Sequence, residues 1–168
     1  MSRLIRSVLV GAVCGALGTL SMDLLWFRRF RTGGGSQSFL AWETSDGLDG
    51  YDAAPAPART AKAVAGMAGI DLPDESARAA NNAVHWLTGM AWGEMHGAAA
   101  HMMGTANPGL GLVTAVAAWA TSYAVLPRLG VYKPIGEYDQ EVLFQDLSAH
   151  LVFGSALGLT FRLLTPRR

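Results

Sequence analysis

Glu94, His101, Asp146 and His150 are the residues of this chain whose types and spacing point most directly to proton or ion chemistry. At 100° per helical residue, Glu94 and His101 fall about 20° apart, so one helix presents them on a single face two turns apart. Asp146 and His150 stand four apart, a spacing at which a carboxylate can hold an imidazole tautomer or pass it a proton. Asp139 precedes that pair by two turns. His96, with His85 on nearly the same meridian, occupies a different face from Glu94. Asp23 is a further carboxylate near the end of an apolar run. Met90, Met95, Met102 and Met103 add soft donors around the histidines, which leaves a metal or bis-histidine haem open as an alternative. His96 and His101 are about 140° apart on one helix, so such a site needs a ligand from another helix, with His150 the candidate.

Other signatures are missing. Glu43, Asp46, Asp49 and Asp52 recur every third residue without the spacing of a calcium loop and read as a solvated loop. There is no phosphate-binding glycine loop, nucleophile elbow or His-Glu-x-x-His helix. Cys14 is the single cysteine, which excludes a disulfide framework. Thirteen basic residues balance thirteen acidic ones, so no net field favours nucleic acid, and no nucleic-acid partner is expected.

The elements that must position these groups are set by where charge is absent. Of the 168 residues 51% are hydrophobic and only 15% charged, and no charged side chain occurs between Met95 and Pro127. A bilayer core of roughly 30 Å takes about 20 mostly apolar helical residues. Four segments meet that description, near residues 7–27, 83–104, 110–126 and 147–164. The expected fold is therefore all-α: a single polytopic membrane domain, a four-helix transmembrane bundle with short interfacial helices, whose partner is the lipid bilayer. The first segment is bracketed by arginines and lacks a small-x-small cleavage site, which reads as a span rather than a removed leader. The second is the least hydrophobic. Thr105-Ala-Asn-Pro108 joins the second and third, predicting antiparallel neighbours.

Residues 28–82 form a long polar loop, with a glycine run at 33–35 and Ala-Pro-Ala-Pro at 54–57. A short amphipathic helix is expected over 59–70, and a helix beginning near Asp74 runs on into the second span. Another helix is expected to start near Tyr138 and feed the fourth span. Arg28, Arg29, Arg31, Arg78, Arg128 and Lys133 outweigh Arg3, Arg6, Arg167 and Arg168, which leans the long loops toward the cytoplasm.

Glycines recur every fourth residue: Gly11 and Gly15; Gly89, Gly93 and Gly97; Gly154 and Gly158. Apolar helices in lipid associate by close packing, and such ladders let backbones approach. His85-Trp86-x-x-Gly89, Trp92-Gly93 and His150-x-x-Phe153-Gly154 resemble short elements of the small bacterial inner-membrane proteins of unknown function called YagU-like, although Leu87-Thr88 departs from their pattern. The resemblance implies a four-span protein of the bacterial inner membrane and carries no activity or cofactor with it. From the residues themselves the expected role is translocating or sensing a proton or small solute through a polar interior of Glu94, His101, Asp146, His150, His96 and Asp23. No catalytic residue and no cofactor are expected. Two alternatives stay open: a structural or assembly protein whose glycine faces dock partner helices or a second copy, and a metal- or haem-binding redox protein.

Overall fold

A computed structural model describes residues 2–165; Arg167 and Arg168 of the charge count lie outside them. The described residues are helical, with no strand among them. The long elements are α1 (Arg3–Thr32), α4 (Ala77–Met102), α5 (Gly109–Val125) and α6 (Gln140–Leu164), and α2 (Phe39–Glu43) and α3 (Ala56–Met67) lie in the first connection.

Each boundary has a local cause. Ser2 caps α1 by accepting a bond from the Ile5 amide at 3.2 Å. At its other end Arg29 and Arg31 occupy the last turn, the favourable place for cations, and Gly34 at φ 95° reverses the chain. Pro57 opens α3 in the first turn, where a missing amide hydrogen costs nothing. Asp74 and Glu75 form a 3-10 turn leading into α4 and complement its dipole. Between α4 and α5, Asn107 Oδ1 accepts from the Gly109 amide at 2.9 Å and so starts α5.

Packing joins the long helices in a different order from the chain. α1 lies along α4, α5 lies along α6, and α1 packs against α6, whereas α4 and α5 meet only lightly despite their short loop. The second and third spans do touch, as neighbours joined by a short loop, but each packs more extensively on another partner. The reason is the glycine stripes, which face other partners. A Cβ on Gly11 would land on the Gly93 carbonyl oxygen, and one on Gly15 would strike the Gly89 carbonyl. Gly97 abuts the Ser7 carbonyl. On the other side Gly111 meets Gly154 and Gly158 in the same way, and Gly154 also touches Ala115. The pairs join where Gly18 seats the Phe153 ring and where Arg29 donates to the Gln145 carbonyl at 2.8 Å and to Ser148 Oγ at 2.7 Å.

The interior is built from small residues and the exterior from large apolar ones. Ala12, Cys14, Ala100, Ala115, Ala118 and Ala149 are buried, and Leu157 is the largest fully buried side chain. Leu9, Val13, Leu17, Leu24, Val113, Val116, Leu159 and Leu163 are exposed. A water-soluble domain hides its leucines, whereas a helix in lipid gains nothing by doing so. Three helices are long and apolar enough to cross a membrane: α1, α5 with the 3-10 turn that extends it to Leu129, and α6. At 26 residues α4 has the length, but its polar residues leave it short of the same apolarity.

Candidate functional site

The glycine ladders occupy the half of the molecule nearest the chain termini, and beyond them the helices part. Past Gly15, α1 carries Thr19, Met22, Asp23 and Trp26; before Gly89, α4 carries Val84, His85 and Thr88. These side chains fill the space that glycine leaves empty and open a cavity of about 520 Å³. Ala118, Thr121 and Ser122 of α5 and Asp146, His150 and Phe153 of α6 form the opposite wall, and Ala56, Pro57 and Thr60 of α3 border the mouth together with Tyr132. The lining is mostly apolar, with polar groups at a few places.

Those groups form two Asp–His arrangements. His85 Nε2 and Asp23 Oδ2 are 2.9 Å apart, with Asp23 only 4% exposed. Such a pair needs its partners, because an isolated carboxylate in that position would be strongly disfavoured. Across the cavity His150 Nδ1 donates to the backbone carbonyl of Asp146 at 2.9 Å, while the Asp146 carboxylate Oδ1 is farther, at 3.5 Å. The backbone bond fixes the tautomer, so the neutral His150 ring keeps its lone pair on Nε2. Asp146 Oδ2 is buried without a hydrogen-bond partner.

A third group comes from the long first connection. Phe27 of α1 meets the Phe39 ring edge-on, and Phe27 and Phe30 pack at a tilt against Trp42, which docks α2 on the end of α1. The next residues are tied to α4. Arg78 donates to the Thr44 carbonyl at 2.9 Å and pairs with Asp46 at 2.8 Å, Asn82 donates to the same carbonyl, and Asn81 donates to Ser45 Oγ. Ser45 adopts φ 51°, a conformation that a residue with a side chain holds only when its surroundings impose it. Held on both sides, Glu43 reaches Asp23 and His85, so that one ligand atom from each of the three lies within 4.8 Å of the others. Its Oε1 is buried and unpartnered. Burial first, and then the Asp23 charge, push the Glu43 carboxyl above its ordinary value. Near Asp146, burial and the Asp146 charge push Tyr132 up to about 12.

Of the residues expected in a polar interior, Asp23, Asp146 and His150 border this cavity. His96 is buried elsewhere: its Nδ1 is 3.0 Å from Thr114 Oγ1, its ring meets Phe161 edge-on, and it links α4 to α5. Glu94 and His101 are exposed on the outer face of α4, a correction to their assignment as interior groups. They do share a face, as the helical arithmetic requires, but it lies about a quarter turn from the glycine stripe and is exposed. His85 and Glu43 were missed as site residues. His85 lies one turn before Gly89 on the ladder itself, and that register was the available signal. Glu43 had none, because its partners come from α1 and α4; the expected solvated loop is corrected there, whereas Asp46, Asp49 and Asp52 are exposed as expected, Asp46 in a surface pair with Arg78.

Comparison with family models, with curated proteins and with solved structures finds no match. The geometry alone therefore carries the functional reading.

Proposed function

We propose that the chain is a four-span protein of the bacterial inner membrane, of the YagU-like kind its motifs resemble, that binds and moves or senses a proton or small cationic solute in the cavity between its helices. One observation carries this: the cavity wall presents a buried carboxylate oxygen, Asp146 Oδ2, that lacks a donor, and beside the wall residues Asp23 and His85 the buried Glu43 Oε1 lacks one too. A buried acceptor without a partner costs about 1–3 kcal/mol, which a proton, an ion or a donor-rich solute recovers. Ionisable groups inside a membrane are rare and mark pathways of this kind. The outward leucines and valines support the lipid setting, and α4 supplies the fourth span, with His85 and Thr88 turned to the cavity and Glu94 and His101 on its outer face. The basic residues near the long connections favour the cytoplasmic side for them.

The test is a purified protein in liposomes carrying an internal pH dye. A pH jump or an added small cation produces a dye response with the native chain. Asp146→Asn and Asp23→Asn abolish it, and Glu94→Gln leaves it intact. A response equal to that of empty liposomes overturns the proposal.

A second reading rests on Glu94 and His101. They stand together on the outer face of α4, where lipid offers no partner for them, and this supports docking of a second copy or a partner helix through that face. Glu94→Leu then dissociates a cross-linkable oligomer, and an oligomeric state unchanged by it removes this reading.

A further inference from the structure

We infer that Asp23, Glu43 and His85 form a binding site for a first-row divalent cation of the Zn2+ type, at the cavity mouth where α1, α2 and α4 meet. The inference deepens the cavity reading by naming a ligand class for one of its walls.

The donor set is the first ground. One imidazole nitrogen and two carboxylate oxygens suit Zn2+ and its neighbours, and three protein ligands leave a fourth position for water or a solute from the cavity. The three ligand atoms already lie within 4.8 Å of one another. Tetrahedral bonds of about 2.0–2.2 Å set ligand atoms roughly 3.3 Å apart. The 2.9 Å contact between Asp23 and His85 opens slightly on binding, and the Glu43 carboxylate swings inward.

Charge is the second. Two carboxylates drawn together around a side chain as buried as Asp23 repel. A dication with a neutral His85 balances both. The unpartnered Glu43 Oε1 is the atom this ion would satisfy. A mere hydrogen-bonded Asp–His pair accounts for neither Glu43 nor the effort spent in placing it.

That placement is the third ground. Metal ligands require partners that fix their orientation, and loss of such partners weakens binding. The residues flanking Glu43 meet this need. Trp42 is clamped in the aromatic cluster, and Thr44, Ser45 and Asp46 are held by Arg78, Asn81 and Asn82. The loop segment is thus fixed to α4 within two turns of His85.

The experiment uses untagged full-length protein in detergent, stripped with a chelator and titrated with Co2+, then with Zn2+ in competition. One Co2+ binds per chain with the visible bands of a four-coordinate site, and Zn2+ displaces it. Glu43→Gln and His85→Gln each weaken binding about 100-fold while circular dichroism retains the native helix content. Glu94→Gln and His101→Gln leave it unchanged. No uptake by the native chain, or equal uptake by Glu43→Gln, overturns the site. Asp146→Asn separates the two readings: it keeps Co2+ binding while removing the liposome response. A failure of metal uptake with the liposome response intact sinks this inference alone.

Discussion

The α1–α4 pair and the α5–α6 pair follow one plan with different fittings. In the first, Gly11 nests against Gly93 and Gly97; in the second, Gly111 nests against Gly154 and Gly158. Twelve residues beyond Gly11 stands Asp23, and twelve before Gly97 stands His85; the same steps from Gly111 and Gly158 lead to Tyr123 and Asp146. Each pair is closed by glycine at one end and carries an ionisable pair at the other. The difference lies in what the connecting segment delivers. The long connection from α1 to α4 brings in Glu43, a further carboxylate. The short one from α5 to α6 brings Tyr132 and Tyr138, whose rings lie 5.3 and 5.4 Å from that of Tyr123. One frame thus supports a site able to hold a cation and a facing wall of phenols around an acid.

The largest effects are expected where the two pairs are alike. Gly93→Leu and Gly154→Leu each force a side chain into a facing backbone that cannot yield, costing about 3 kcal/mol or more, with loss of the monodisperse species in size-exclusion chromatography and a lowered unfolding temperature. Gly66, which faces open space, tolerates alanine without such a loss. If Gly93→Leu melts like the native chain, the shared frame is broken as an explanation.

Next come the carboxylates, where the pairs part company. Asp23→Ala leaves the partly buried His85 without its partner and costs about 2 kcal/mol. His150→Ala removes a single bond to its own helix and costs about 1 kcal/mol. Double-mutant cycles of Asp23 with His85 and of Asp146 with His150 sharpen the contrast, since only the first joins two helices and is expected to show coupling above about 1 kcal/mol.

Arg78→Ala acts on the first pair alone. It frees residues 44–46 at about 1 kcal/mol, seen as faster amide exchange across residues 39–46, with the 126–138 segment unchanged. At neutral pH the smallest effect belongs to the second pair, since it develops only at high pH. Because Tyr132 ionises near 12 in the folded chain and at the ordinary 10 once unfolded, the unfolded chain releases its proton first. Stability therefore falls as pH rises from 10 to 12, and Tyr132→Phe removes that part of the slope in denaturation midpoints.

The helices themselves were legible because absence of charge is a local property. The spans expected at 7–27, 110–126 and 147–164 fall within or beside α1, α5 and α6, and the helix expected over 59–70 is α3, displaced by three residues toward Pro57. The segment near Asp74 does begin α4, and α6 starts at Gln140, close to the expected Tyr138. What failed depended on which face turned inward. Periodicity placed Glu94 with His101, and His85 with His96, on separate faces; a rule that buries the charged group then chose the wrong one. The glycines every fourth residue were the better guide, since close backbone contact occurs only inside. α2 was invisible, because five residues form a helix there only through aromatic contacts with α1.

The inverted size pattern also bears on ancestry. Where two backbones touch, only hydrogen fits, whereas an outward leucine exchanges with valine or isoleucine at little cost. Chains descended from a common parent with this architecture would drift apart at their bulkiest letters and stay alike at their smallest. Kinship among them is written in the spacing of glycines, four residues at a time.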